Sequence, residues 1–429
     1  MASSYRLSDI TDEQYNRLLR RGASAAENVP GVAREICLDV KRRGDAALRD
    51  YTARFDGVAL DKLRVADDET RNAVASQPVD VRAALEAAAE NIRAFHKTQL
   101  GAVQTVETAP GVTCWRERRP IERVGLYIPA GSAPLPSTVL MLGIPAILAG
   151  CERVVLCSPP QRNGAIHPLV LAAASIVGIG EIYRVGGAQA IAALAYGTES
   201  IPKVETIFGP GNRFVTAAKQ FVSSQPDGAA IDLLAGPSEL LIIADESANA
   251  SHVAADLLSQ AEHDTDSQVV LVTTSAQLAR SVQEQLDSLA QRLPRIDILR
   301  QSLAKSFIAV ADSLEQAVRF SNDYAPEHLI INTESPERLV PQIRNAGSVF
   351  LGPFAPVTAG DYASGTNHTL PTGGSARWSS GVSVESFMKT ISFQRISKDG
   401  LQNLAPTLTA LAEAEGLEGH RQAVMVRLK

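Results

Sequence analysis

Residues 239–273, ELLIIADESANASHVAADLLSQAEHDTDSQVVLVT, decide how this chain folds. ELLIIA is too continuously apolar for a strand with one wet face, a stretch of helical length follows, and SQVVLVT is a second such run. Strand, helix and strand in that order, with strands buried on both faces, are what a parallel sheet covered by helices requires. Working outward, the rhythm recurs in KSFIAV, EHLIIN and GSVFL on one side and in ERVGLYI, RVVLCS, EIYRV and ETIF on the other. Nine candidate strands exceed what one compact sheet usually needs. The Gly-Pro clusters FGPGN and LAGPSE separate the first four from the rest, so two α/β domains are expected.

Up to about residue 100 the pattern is helical, with Val32, Ile36 and Val40 on one stripe and the Ala-rich run VRAALEAAAENIRAFHKTQL further on. These helices are expected to lie with the second strand group, one domain being inserted in the other. The boundaries are then a helical extension over 1–21, a discontinuous first domain over 22–128 and 240–380, a second domain over 129–239, and a tail over 381–429. That tail reads as helical and polar, too thin in apolar residues for a core of its own, and a second subunit is a candidate surface for it.

The 429 residues carry 41 Lys+Arg against 47 Asp+Glu, a net charge of −6, which argues against a strongly basic nucleic-acid binder. A hydrophobic fraction of 45% excludes disorder over most of the chain. None of the four cysteines (Cys37, Cys114, Cys151, Cys157) forms a CxxC pair, and a reducing, cytoplasmic setting is expected. Asp9, Asp12 and Glu13 stand where a signal peptide needs an apolar core, so no export is expected. The uncharged stretch from Val124 to Cys151 contains Pro129, Pro134, Pro136 and Pro145, and reads as a buried strand, a loop and a buried helix rather than a membrane span.

Several segments can carry chemistry. GLYIPAGSAPLPST sets Gly125 and Gly131 between a strand and a helix, where backbone amides can approach an anion or simply make a tight turn. FGPGNRFV, with Asn212 at an expected helix cap, and GGAQAIAALAYG, with Gln189, repeat that context, and three such turns favour a nucleotide-sized ligand. In DLLSQAEHD, Gln260 and His263 are three apart on an expected helix, an arm for a metal or an exposed Gln and a capping His. AGDYASGTNHTLPTGG adds Asp361 and His368 in a polar loop. In YAPEHLIIN, Glu327 and His328 join a carboxylate to an imidazole at a strand end, a pair suited to proton transfer near neutral pH. Neighbours in a regular strand face opposite ways, so both serve one site only if the backbone there is irregular. His96, His167 and His252 read as structural, and Cys151 and Cys157, bracketing an apolar strand, as packing.

Taken in order, VGLYIPAGSAPLPSTVLMLGIPA, VGGAQAIAALAYGTES, KVETIFGPGNRFVTAAK, GAAIDLLAGPSELLIIAD, DLLSQAEHD, YAPEHLIIN, GSVFLG and AGDYASGTNHTLPT resemble the histidinol dehydrogenase family over essentially the whole chain. The resemblance implies two incomplete Rossmann-like, aldehyde-dehydrogenase-like domains that bind NAD without the usual glycine fingerprint. It implies NAD-dependent oxidation of L-histidinol to L-histidine in two steps through a held aldehyde, by a homodimer with one zinc per site. Gln260, His263 and Asp361, with His420 from the other subunit's swapped tail, would be the zinc ligands. Glu327 and His328 would be the acid–base pair. Ser238 and Glu415, with His328 and the zinc-side residues, would hold substrate, and Tyr127, Gln189 and Asn212 would hold NAD. The zinc would orient the substrate's imidazole and amine rather than ionise water.

Overall fold

The computed structural model describes residues 3–21, 28–130, 134–234 and 236–429. The chain opens with β1 (Ser3–Arg6) and α1 (Asp12–Leu19). Four helices follow, α2 (Val29–Arg43), α3 (Asp45–Phe55), α4 (Asp67–Ala75) and α5 (Val79–Lys97), then two strands, β2 (Thr105–Ala109) and β3 (Val112–Pro120). Strand and helix then alternate through β4 (Arg123–Tyr127), α6 (Pro136–Ala149), β5 (Arg153–Ser158), α7 (Pro168–Val177), β6 (Glu181–Arg184), α8 (Gly187–Tyr196), β7 (Thr206–Phe208), α9 (Arg213–Ser223) and β8 (Ala230–Ile231). A second alternation runs through β9 (Glu239–Ala244), α10 (Ala250–Ala261), β10 (Gln268–Thr273), α11 (Ala276–Ala290), α12 (Ile296–Ala304), β11 (Phe307–Val310), α13 (Leu314–Tyr324), β12 (His328–Asn332), β13 (Ser348–Leu351) and α14 (Val357–Tyr362). The chain closes with β14 (Met388–Ile396), α15 (Lys398–Ala414) and α16 (Glu418–Leu428).

All nine expected strand runs are strands, and they divide four and five as the Gly-Pro clusters suggested. One parallel sheet has the order β6-β5-β4-β7-β8 and the other β1-β11-β10-β9-β12-β13. β9, β10 and β12 are buried at every residue. Their alternate side chains serve two cores: Leu240, Ile242 and Leu271 face α10 and α11, while Leu241, Ile243 and Val272 pack with α13 residues such as Phe320. Each such fully buried Leu or Ile contributes about 1.5–3 kcal/mol, which fixes the register that sets His328 opposite Leu240.

Three details depart from the sequence reading. The helices α2 to α5 cover the five-stranded sheet rather than joining the second strand group: Ile36, Val40 and Leu48 pack with α8 and α9, while Ala88 and Ile92 pack with α6 and α7. β4 also belongs to that sheet, although residues 22–128 were expected in the other domain. An amphipathic stripe says that a helix must bury a face, not which sheet will receive it. Second, Val32 is 41% exposed while Ile36 and Val40 are buried.

Third, residues 388–396 form a strand, β14, where a helix was expected. It pairs antiparallel with β3 from Met388 opposite Pro120 to Ile396 opposite Val112, Phe393 stacking on Trp115. β2, β3 and β14 make a separate antiparallel ribbon. At its turn Gly111 lies so close to Gly400 that an added Cβ would sit 3.1 Å from the Gly400 backbone, and the Ser397 N–H donates to the Gly111 carbonyl, anchoring the start of α15. Beyond that anchor α15 and α16 pack chiefly on each other, leaving Leu411, Leu417, Met425 and Val426 exposed. Among the described residues no helix is long and apolar enough to cross a membrane.

Candidate active site

The irregularity that the Glu327–His328 pair requires is present. After α13 the backbone turns through Ala325, whose φ of 51° makes it the one non-glycine residue with positive φ among those described. An L side chain in the left-handed region costs roughly 1–2 kcal/mol, and such strain clusters at functional sites. Pro326 then holds the chain extended, and the regular strand begins only at His328. Glu327 therefore stands before the pleat takes hold, and its Oε2 lies 3.5 Å from His328 Nδ1. Both residues are buried.

β9 fixes both groups. The Glu239 N–H donates to Glu327 Oε2 at 2.8 Å, and the Glu239 carbonyl lies 3.1 Å from His328 Nδ1, which donates to it. With Nδ1 so engaged, Nε2 is the nitrogen turned to the site, 3.5 Å from Asp361 Oδ1. Burial works against a charged His328 ring, but Glu327 and Asp361 outweigh it and raise its pKa to about 10. Burial likewise opposes ionisation of Asp361, but His328, with His368 and His263 beyond it, holds that carboxyl below its usual value. Ser238, immediately before β9, is half-buried.

Gln260 is on the last turn of α10, and its Oε1 is buried without a hydrogen-bond partner. An orphaned buried oxygen is costly, and a cation beside it would remove the cost. α10 ends at Ala261, so His263 stands in the bend beyond the helix rather than on it, exposed, with its N–H donating to the Gln260 carbonyl. His368 donates from Nδ1 to the Asp361 carbonyl at 2.9 Å, and its Nε2 lies 3.2 Å from the Thr138 hydroxyl on α6, tying Asp361 to the other sheet's helix. Gln260, His263 and Asp361 are nitrogen and oxygen donors that suit zinc, but among the described residues there is no group of three or more His, Cys, Asp or Glu able to hold a metal. Glu415 and His420 do not complete it within the chain: both are exposed, and neither side chain has a hydrogen bond or ion pair.

Tyr127, Gln189 and Asn212 gather at the carboxyl ends of the five-stranded sheet. Successive connections run from β4 toward β5 and β6, whereas β7 and β8 lie on the other side, so the crevice between β4 and β7 is the topological switch point where ligands bind in open α/β sheets. Tyr127 ends β4, its hydroxyl accepting from the Gly187 N–H at 3.1 Å, and burial pushes it up to about 12. Asn212 caps α9 through the Phe214 and Val215 N–H groups. Gln189, on the first turn of α8, is buried with Oε1 unpartnered. Gly209 closes the crevice with φ 123°, where a Cβ would lie 2.1 Å from the Tyr127 carbonyl oxygen. Gly125 lies inside β4, packed by Leu194 and Val204; Gly131 lies outside the described residues. Cys151 and Cys157 are buried, and burial raises both thiols, Cys151 to about 11, so neither is poised as a nucleophile.

Sequence reasoning missed Arg21, Glu239 and Thr138. Glu239 carried the signal that exposed Glu327, an acid opening an apolar strand; Arg21 and Thr138 carried none.

Fold and site together define an α/β enzyme with a buried carboxylate–imidazole pair at the amino ends of one sheet's strands and a crevice at the switch point of the other. Residues 19–428 match the family model described as histidinol dehydrogenase. The chain is 50% identical over 421 residues to the histidinol dehydrogenase of Vibrio vulnificus, covering 98% of this chain and 97% of that one. It is 51% identical over 417 residues to that of Pectobacterium atrosepticum, covering 97% and 93%. The crystal structure of histidinol dehydrogenase from Elizabethkingia anophelis superposes with a TM-score of 0.96 at 49% identity, covering 100% of this chain and 98% of that one. The chain belongs to the histidinol dehydrogenase family and is an oxidoreductase.

Proposed function

We propose that this chain oxidises L-histidinol to L-histidine, the closing reaction of histidine biosynthesis, in the cytoplasm, with two NAD per turnover and one zinc ion per site. The observation that carries the reading is the buried Glu327–His328 pair with Nε2 facing Asp361. Gln260, His263 and Asp361, with His420 of the partner subunit, would hold the zinc, which when bound would orient the imidazole and amine of the substrate. Tyr127, Gln189 and Asn212 would hold NAD, the hydride acceptor in both steps.

His328 Nε2 takes the alcohol proton as hydride leaves the adjacent carbon. To do so the ring must be neutral; a cation held by Asp361, when bound, would offset one of the two charges that favour its protonated form. Glu327 Oε2 is held by the Glu239 N–H, which leaves Oε1 to draw a proton from the water that adds to the aldehyde. Loss of a second hydride from that hydrate yields the carboxylate. Ser238, together with Glu415 of the partner subunit, would hold the substrate's polar groups.

The exposed apolar residues of α15 and α16 support a homodimer in which each tail crosses to its neighbour. NADH formed from limiting L-histidinol, with and without chelation and zinc return, tests the reading. Two NADH per histidinol, lost on chelation and restored by zinc, is the expected result. One NADH would mean that the aldehyde escapes and would remove the role given to Glu327, and none would overturn the substrate.

A further inference from the structure

β9 begins with an acid that the chemistry above does not use. Glu239 is 2% exposed, and its carboxylate receives Arg21 Nε and Nη2, each at 2.9 Å, and the Gly373 N–H at 2.9 Å. Arg21 comes from the far end of the sequence. Besides gripping Glu239, it donates to the carbonyls of Tyr324 and Ala325, the last residue of α13 and the left-handed turn residue, and its guanidinium lies 3.8 Å from the Tyr324 ring centroid. One planar fork thus joins β9 to the turn that delivers Glu327 and His328.

Glu239 meets the acid–base pair through its backbone: its N–H holds Glu327 Oε2, and its carbonyl holds His328 Nδ1. Those two bonds decide which carboxylate oxygen is free and which imidazole nitrogen faces the site, so a shift of the Glu239 backbone moves both groups at once. A buried ion pair is a weak device for stability, since apolar residues of similar volume often serve as well. A bidentate pair does fix direction, and here the direction it fixes is that of the peptide unit on which both groups hang.

We propose that Arg21 and Glu239 are a positioning pair for the Glu327–His328 dyad, Arg21 clamping the amino end of β9 to the turn at 324–325 so that the Glu239 peptide presents its N–H and carbonyl to the two groups. The proposal rests on the reading of Glu327 and His328 as the acid–base pair, and it makes the segment ahead of residue 22 part of the catalytic apparatus.

The test compares Arg21→Met, Arg21→Lys and Glu239→Gln in the full-length, zinc-loaded enzyme, each alone and on a Glu327→Gln background. Arg21→Met is expected to lower kcat about ten- to a hundredfold with KM for histidinol and zinc content within about twofold, and Arg21→Lys to recover part of the loss. With Glu327 already replaced, the same change should cost less than about threefold, because groups acting through one another do not add. Equal fold-losses on both backgrounds, or an unchanged kcat in Arg21→Met, would overturn the proposal. Should Arg21→Met not fold, Arg21→Lys and Glu239→Gln carry the same comparison. Isotope-labelled histidine rings give a readout independent of turnover: the His328 resonances should move in these variants while those of His167 and His252 stay, and an unmoved His328 ring overturns the proposal. A wild-type enzyme that makes no NADH from histidinol sinks the substrate reading alone, and the ring spectra still decide this one.

Discussion

The two parallel sheets use opposite edges. In the five-stranded sheet Tyr127, Gln189 and Asn212 stand at the carboxyl ends of the strands, where helices α8 and α9 begin. In the six-stranded sheet Glu239 and His328 are the first residues of β9 and β12, and Gln260 is on the last turn of α10. Both clusters lie at a switch point, between β4 and β7 in one sheet and between β9 and β12 in the other. The difference is one of electrical sign. Helix starts carry partial positive charge, which suits a phosphate-bearing ligand; helix ends present carbonyls and partial negative charge, which suits cations. Glu327 and Asp361 add to the negative edge, where the proposed metal and the proposed substrate's amine would lie, while the proposed cofactor's phosphates would fall to the positive one.

The largest way to break this division is at the negative edge. Glu327→Gln and His328→Asn should each lower kcat by about 10² to 10⁴ with metal and NAD still bound; wild-type turnover in either would take the chemistry away from β12. The next tests whether that edge is completed across subunits. His263→Ala and His420→Ala should each lose most activity, and mixing them under proven subunit exchange should restore part of it, because one site per heterodimer is intact. No rescue would return His420 to its own subunit.

At the positive edge the effects are smaller. Asn212→Ala should raise the KM for NAD by about tenfold, and loss of the α9 cap should cost about 1 kcal/mol of stability, read by denaturant unfolding alongside kinetics; an unchanged KM would leave Asn212 a cap and nothing more. Least of all, Cys151→Ala and Cys157→Ala should keep most activity, since both thiols are buried and held protonated. Complete loss of turnover in a folded Cys157→Ala protein would point to thiol chemistry between the sheets.

Much of this was legible in the sequence because both-face burial writes continuous apolar runs. ELLIIA, SQVVLVT and EHLIIN announce strands that no solvent touches, and the Gly-Pro clusters mark the change of sheet. The ribbon was hidden for the opposite reason: KTISFQRI in β14 is mostly exposed, so its alternation is shallow and it reads with the polar helical tail that follows. For the site, Glu327 and His328 stood out as charged letters before an apolar strand. Glu239 opens β9 in the same way, yet it touches Glu327 and His328 through its peptide group, which every residue type shares. Arg21 was beyond reach, because nothing near it in the chain hints at a partner as distant as Glu239.

The pairing of β1 with β11 has a consequence for how the chain comes together during synthesis. Ser3 aligns with Phe307, and Arg6 with Val310. Every strand of the five-stranded sheet, by contrast, lies within residues 123–231. Domains form as units in the order they leave the ribosome, and pairings distant in sequence close late. The sheet proposed to hold the cofactor can therefore consolidate first, while the opening strand waits unpaired for β11. The clamp from Arg21 to Tyr324 cannot close before α13 has been made, so a nascent chain orders the edge that carries Glu327 and His328 only after the five-stranded sheet is complete.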